Sequence, residues 1–312
     1  MSDPRRWIAE RVPISVDGLA AMSNEPVPYH MKRWWFALGG TPAYLFVVQI
    51  VTGVLLAFYY QPAPATAYES VRYITEEAAF GWYLRGVHKW GATLMIGFTG
   101  YSLVFEQLSY WGATVGANIS DTVPVVGPFM KQALLGGDTY NDRTLSRFFI
   151  LHAAVLPVLL ILVLMMHIGL VRLHGVTELK FAGEDAAPVK HFNFFPEHFY
   201  TELIIGLTLM ILLSVLATLV PVEMGPRANP QITPEVIKPE WYFYVAFRWL
   251  KLFSGTTAML TQGFIVFVMF FWPFIDDWLV RKFKYADISV WIGIVGALTI
   301  MGFTMWEALV AH

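Results

Sequence analysis

Two histidines sit in apolar sequence, where a ligand to a buried group would be needed. His152 and His167 lie fifteen residues apart within FILHAAVLPVLLILVLMMHIGLVR, residues 149–172. On a helix that separation is about 22 Å of rise and just over four turns, so the two imidazoles share one stripe, one near each face of a bilayer. Ionisable groups at such depth are costly and face a bundle interior with a partner. Two imidazoles so placed suit axial ligation of two stacked haems, one per leaflet, if another helix supplies the opposite ligands. The plainer reading is a hydrogen bond from each to a neighbouring helix. His88, in LRGVHKWGA (84–92), is the natural opposite ligand, and Arg85, one turn earlier, could pair with a haem propionate. Gly53, Gly91, Gly97 and Gly100 remove bulk where a flat macrocycle could meet backbone, although membrane helices use glycine for packing alone. A second feature is Pro239-Glu240-Trp241-Tyr242, between apolar stretches. A carboxylate beside aromatics near a membrane surface can accept a proton from a quinol hydroxyl.

The composition says what must hold these groups. Of 312 residues, 56% are hydrophobic and 14% charged, and the mean hydropathy is +0.54. An ordinary soluble domain carries about 25% charged residues, so this chain reads as an all-α integral membrane protein. A net charge of −2 argues against a nucleic-acid partner. The absence of cysteine excludes disulfides, thiolate zinc sites, cysteine-ligated iron–sulfur clusters and thioether-linked haem. Five stretches approach the roughly 20 apolar residues of a spanning helix: 34–60, 148–171, 203–222, 252–275 and 288–306. A sixth, 86–105, is interrupted only by Lys89. The N-terminus shows no secretory signal; residues 5–22 read as an amphipathic surface helix. Residues His30 to Phe36 suit an interfacial belt, and His174, His191 and His198 read as solvated loop residues. Basic residues among the first 33, and Arg281, Lys282 and Lys284, place both regions on the cytoplasmic side. An even number of crossings must separate them, but five stretches lie between (34–60, 86–105, 148–171, 203–222 and 252–275), so one crossing is missing or one span is re-entrant.

These residues resemble cytochrome b of the quinol–cytochrome c and quinol–plastocyanin oxidoreductases. The likeness runs from about Pro28 to the C-terminus and is clearest in VPYHMKRWWFALGG (27–40), RGVHKWGAT (85–93), FTGYSL (98–103), YWGATVGANISDTVPVVG (110–127), LSRFFILHAAVLPVLL (145–160) and KPEWYF (238–243). It implies a plastid-type cytochrome b fused to subunit IV: a surface segment (1–33), a multi-span helical bundle binding haem between helices (34–175) and a three-helix quinol-site part (176–312). By the resemblance, His88 and His152 ligate a low-potential haem b and His167 one face of a second haem b. Arg85 binds a propionate, Gly53 and Gly100 admit the macrocycle, and Arg172 lies near the second haem and a quinone site. Glu240, within Pro239, Trp241 and Tyr242, accepts the quinol's proton, with Tyr101 nearby. The implied activity is quinol oxidation on one side of a bacterial cytoplasmic membrane and quinone reduction on the other, coupled to proton translocation. The implied partners are a Rieske iron–sulfur protein, a c-type cytochrome and a second copy of the chain.

Three departures stand out. Ala37 replaces the cysteine that anchors an extra haem in the plastid-type protein, so no such attachment is expected. Val104-Phe105-Glu106-Gln107 replaces the family's Pro-Trp-Asp-Gln. Position 102 is Ser where the second histidine of the second helix is expected, and about 35–40 residues are missing after Met95. Three readings of that junction are open: one continuous crossing, a re-entrant dip over 83–107, or a further segment carried by the molecule. The last is preferred, because the second haem needs a ligand that nothing here supplies. Rival readings of function are a haem b anchor of another dehydrogenase or reductase, a haem-poor paralogue, and a transporter with proton-relaying histidines.

Overall fold

The computed structural model describes residues 25–95, 97–177, 190–235, 238–283 and 287–310; the expected surface helix over 5–22 lies outside them. In chain order the elements are strand β1 (Pro26–Pro28), helices α1 (Gly40–Ala57), α2 (Ala67–Glu76), α3 (Gly81–Met95), α4 (Gln107–Asp121), α5 (Gly127–Leu135), α6 (Asp142–Ile150) and α7 (Leu156–His174). Then come strand β2 (His191–Asn193) and helices α8 (Phe199–Leu219), α9 (Tyr244–Leu252), α10 (Gly255–Phe270), α11 (Trp272–Phe283) and α12 (Asp287–Leu309). Among the described residues, four helical runs are long and apolar enough to cross a bilayer: Trp34–Ala57, Asp142–His174, Phe194–Leu219 and Ile288–Leu309. The molecule is an all-α integral membrane protein.

Two expected spans differ. The stretch 252–275 is not one straight helix: α10 and α11 meet at a 66° bend. The stretch 86–105 is not one helix either. At 15 residues α3 is about 22 Å long, short of the roughly 30 Å hydrocarbon layer. Gly97 then leaves helical geometry (φ −112°, ψ 74°) before the short helix Phe98–Tyr101 and a 3-10 turn over Ser102–Val104. Apolar composition had carried both expectations, and composition does not register a backbone break.

The chain forms two compact units. The first comprises residues up to Leu56, Phe80–Met95 and Leu156–Val222. Its core is Leu45, Val87, Leu213 and Ala217, where α3 lies against α8. Close approach is possible because Gly86 has no side chain: a Cβ there would stand 2.8 Å from the Cβ of Ala217. Tyr83 and Ser214 hydroxyls join the same pair of helices at 2.8 Å. β1 and β2 pair antiparallel with Val27 opposite Phe192. Helix α7 buries no residue in this unit, so its Leu, Val and Met side chains are left to lipid.

The second unit comprises Ala57–Ala79, Ile96–Val155 and residues from Glu223 onward. Its core gathers Ala67, Phe105, Tyr110 and Leu145. Local chemistry ends and starts its helices. Gly136 closes α5 with φ +75°, a conformation that glycine adopts without strain. Asn141 then opens α6 by accepting the Arg143 N–H at 2.9 Å while Thr144 accepts the Asn141 N–H. The next turn, Leu151–Val155, is a π-helix, a form that tends to mark functional positions.

Candidate functional site

In the first unit, His88 points from α3 toward α1. Its Nδ1 is 2.8 Å from the Thr52 hydroxyl oxygen, which itself donates to the Val48 carbonyl at 2.7 Å. With the hydroxyl proton on the Val48 carbonyl, Thr52 accepts from His88 Nδ1–H, and the imidazole is then the tautomer whose Nε2 carries the lone pair, as a metal-ligating histidine requires. Gly53 faces the same ring: a Cβ there would lie 3.2 Å from Cε1.

The second unit repeats the device. His152 sits in the π-helical turn, its Nδ1 3.0 Å from the Thr99 hydroxyl. A Cβ on Gly100 would stand 2.7 Å from its Cε1. Two Thr-Gly pairs, 52–53 and 99–100, thus cradle two imidazoles. These donors fit haem: each is an imidazole hydrogen-bonded at Nδ1 by a threonine hydroxyl and packed against a glycine. Sequence reading had singled out both glycines but passed over the threonine before each; the repeated dipeptide was the available signal.

Four more groups converge in the second unit. The short helix Phe98–Tyr101 and the 3-10 turn Trp241–Phe243 are joined by an edge-on contact of Phe98 with Phe243 at 5.9 Å between centroids. Tyr101 is thereby brought near Glu240 and Tyr242. Burial, then the carboxylates of Glu106 and Glu240, raise the Tyr101 hydroxyl well above its ordinary pKa. The Tyr242 hydroxyl is pushed up to about 12 by burial and by Glu240. Both phenols are therefore hydrogen-bond donors at neutral pH. Glu106 was noted only as part of an altered motif, yet its carboxylate is within hydrogen-bonding reach of Tyr101 and accepts the Gly225 N–H at 2.7 Å. Phe105 (φ +56°) turns the chain here, the backbone of Glu106 pairs with that of Arg227 in an antiparallel β-bridge, and Gln107 accepts the Asn229 N–H at 2.6 Å. The altered motif therefore still builds a wall, pinned to 225–229.

The remaining candidates are dispersed. Arg85 Nη1 donates to the Val222 carbonyl at 2.7 Å. Arg172 pairs with Glu25, and His167 is exposed on α7. Trp241 is exposed beside Glu240. His198 is a correction: expected in solvent, it is 4% exposed, packed against Phe194 and 3.5 Å from Glu202. The aromatic residues of HFNFFPEH bury it, a context that polarity counting misses.

Comparison with known proteins places this arrangement. The cytochrome bc complex cytochrome b subunit of Chlorobaculum thiosulfatiphilum is 33% identical over 315 residues, covering 86% of this chain and 73% of the relative. The chain belongs to the cytochrome b family. Three family models match it: cytochrome b/b6/petB over residues 22–96, cytochrome b (N-terminal)/b6/petB over 77–227 and cytochrome b (C-terminal)/b6/petD over 227–311. An N-terminal cytochrome b part and a subunit IV-like part are therefore fused in one polypeptide. A solved structure described as a hyperthermophilic respiratory Complex III shares the fold, with a TM-score of 0.79 at 22% identity over 98% of this chain and 92% of its own.

Cytochrome b6 of Heliomicrobium gestii is 35% identical over 210 residues, 99% of its length, but that match takes in 55% of this chain. As 55% of 312 residues is about 172, about 38 of the 210 aligned positions have no counterpart here. The shortfall agrees with the segment expected to be missing after Met95, and one family match ends at residue 96. If the molecule carries a further segment there, the purified subunit has an intact mass above 35.4 kDa; a mass at that value ends the idea.

Proposed function

We propose that this chain is the quinol-oxidising, electron-transferring membrane subunit of a cytochrome bc-type complex. The observation that carries the reading is the convergence of Tyr101 and Tyr242 on Glu240, with Glu106 beside Tyr101, in a chain that has both parts of the family. Quinol oxidation releases protons and electrons together, so the site needs a base and fixed donors within one pocket. Glu240, half-buried at the start of the Trp241–Phe243 turn, takes a hydroxyl proton. Tyr101 and Tyr242, protonated at neutral pH, orient the quinol oxygen by donating to it. Glu106 holds Tyr101 in place.

His88 and His152 each supply an axial ligand for haem b, and His167 a further one. When bound, haem b supplies one-electron transfer through the membrane; the protein contributes aimed imidazoles and a dry surround. A Rieske iron–sulfur protein, a c-type cytochrome and a second copy of the chain are the partners proposed, in a bacterial cytoplasmic membrane. Residues 34–175 form the haem-binding part and 176–312 the part bearing the quinol site. The test is quinol-dependent reduction of a c-type cytochrome by the purified complex, with the reduced-minus-oxidised spectrum as control. A colourless, inactive complex contradicts the reading.

The Thr52 hydrogen bond makes a separate prediction. An accepting hydroxyl at Nδ1 increases the basicity of the ligand. Thr52→Val removes it and raises the midpoint potential of one b haem, by about 60 mV for each tenfold loss of preference for the oxidised form. Potentiometric titration checks this; an unchanged potential contradicts the proposed role of Thr52.

A further inference from the structure

Both ends of the Pro239–Tyr242 segment are tied to one place, the last turn of α12. Before the segment, Lys238 Nζ donates to the Val310 carbonyl at 3.5 Å and stands 5.0 Å from the centre of the Tyr244 ring. After it, on α9, Arg248 Nη1 lies 3.4 Å from Glu307 Oε2 and Lys251 Nζ 3.1 Å from Oε1. Arg248 also stacks over Trp306 at 3.8 Å. Glu307 is completely buried. Helix α10 holds α9 from another side, through Trp249 Nε1 to Thr261 at 2.7 Å.

The charges explain why this end of α12 is an anchor. Its terminal carbonyls carry partial negative charge, which draws the three cations. A fully buried carboxylate is tolerated only when paired, and removing it leaves Arg248 and Lys251 uncompensated. Well-packed apolar side chains would join α9 to α12 at least as firmly. What the charged triad adds is a single register between the two helices. The same triad reaches the quinol side of the loop: the Tyr244 hydroxyl, raised first by burial, feels the carboxylates of both Glu240 and Glu307.

We propose that Glu307 is a positioning residue that sets the Pro239–Tyr242 segment, and so the Glu240 carboxylate, by clamping Arg248 and Lys251 to the end of α12. The inference rests on the reading of Glu240 as proton acceptor, but its first test does not. In the purified complex carrying Glu307→Gln, amide hydrogen exchange over residues 238–244 rises about tenfold while α8 is unchanged. The kcat for quinol oxidation falls about tenfold with KM little changed, as expected of a displaced base, with b-haem absorbance retained. Glu307→Asp, which keeps the charge, recovers most of both. Should Glu307→Gln fail to assemble, Lys251→Met removes one partner and shifts both readings the same way by less. Wild-type exchange and kcat in whichever variant assembles overturn the clamp. Raised exchange in a Glu307→Gln complex, beside full activity in Glu240→Gln, sinks the proton-acceptor reading and leaves the clamp standing.

Discussion

Glu240→Gln lowers quinol oxidation by about 10²–10⁴-fold, the usual loss when a positioned proton acceptor is removed. The substitution keeps size and hydrogen-bonding shape, so the loop keeps its contacts and the loss reads as chemistry. Three observations set the size of the effect. Glu240 is half-buried in a segment tied at both ends to α12. Its phenolic neighbours, with Tyr242 pushed up to about 12, remain protonated and cannot replace it as a base at neutral pH. Glu106 is already committed to the Gly225 N–H. Steady-state reduction of a c-type cytochrome measures the loss, and the dithionite-reduced spectrum shows that b haem is retained. Activity within twofold of wild type removes Glu240 from the mechanism.

His152→Ala deletes the proposed axial ligand, and the expected result is loss of one b haem from the reduced-minus-oxidised spectrum. Among the described residues the second unit has no other histidine, and Thr99 and Gly100 are shaped to the His152 ring. Bulk should act in the same direction, because a Cβ at position 100 would already stand 2.7 Å from that ring. The protein is expected to stay folded: His152 lies in a π-helical turn between α6 and α7, and α6 keeps its Asn141 cap and the buried Leu145. Full retention of haem would remove His152 as a ligand.

Much of this was legible before any coordinates. Runs of apolar residues mark Asp142–His174 and Ile288–Leu309 because the bilayer selects by length and hydropathy. His88, His152 and Glu240 stand out as groups costly to bury unless they have work to do. Features set by backbone geometry were not legible. The break at Gly97, the 66° bend after Phe270 and the π turn at His152 leave hydropathy unchanged. Long-range pairing was hidden as well. Nothing near Thr52 in sequence indicates that its hydroxyl meets His88, and Glu307 carries no local sign of Arg248 and Lys251. His198 reads as polar until the surrounding phenylalanines fold over it.

The central proposal is that His88 and His152 are axial ligands of b haem. Haem content per polypeptide, determined by pyridine haemochrome in His88→Ala and His152→Ala, tests it most directly. The proposal predicts that each variant loses b haem relative to the wild-type subunit. Wild-type haem content in either variant, or a wild-type subunit without pigment, contradicts it.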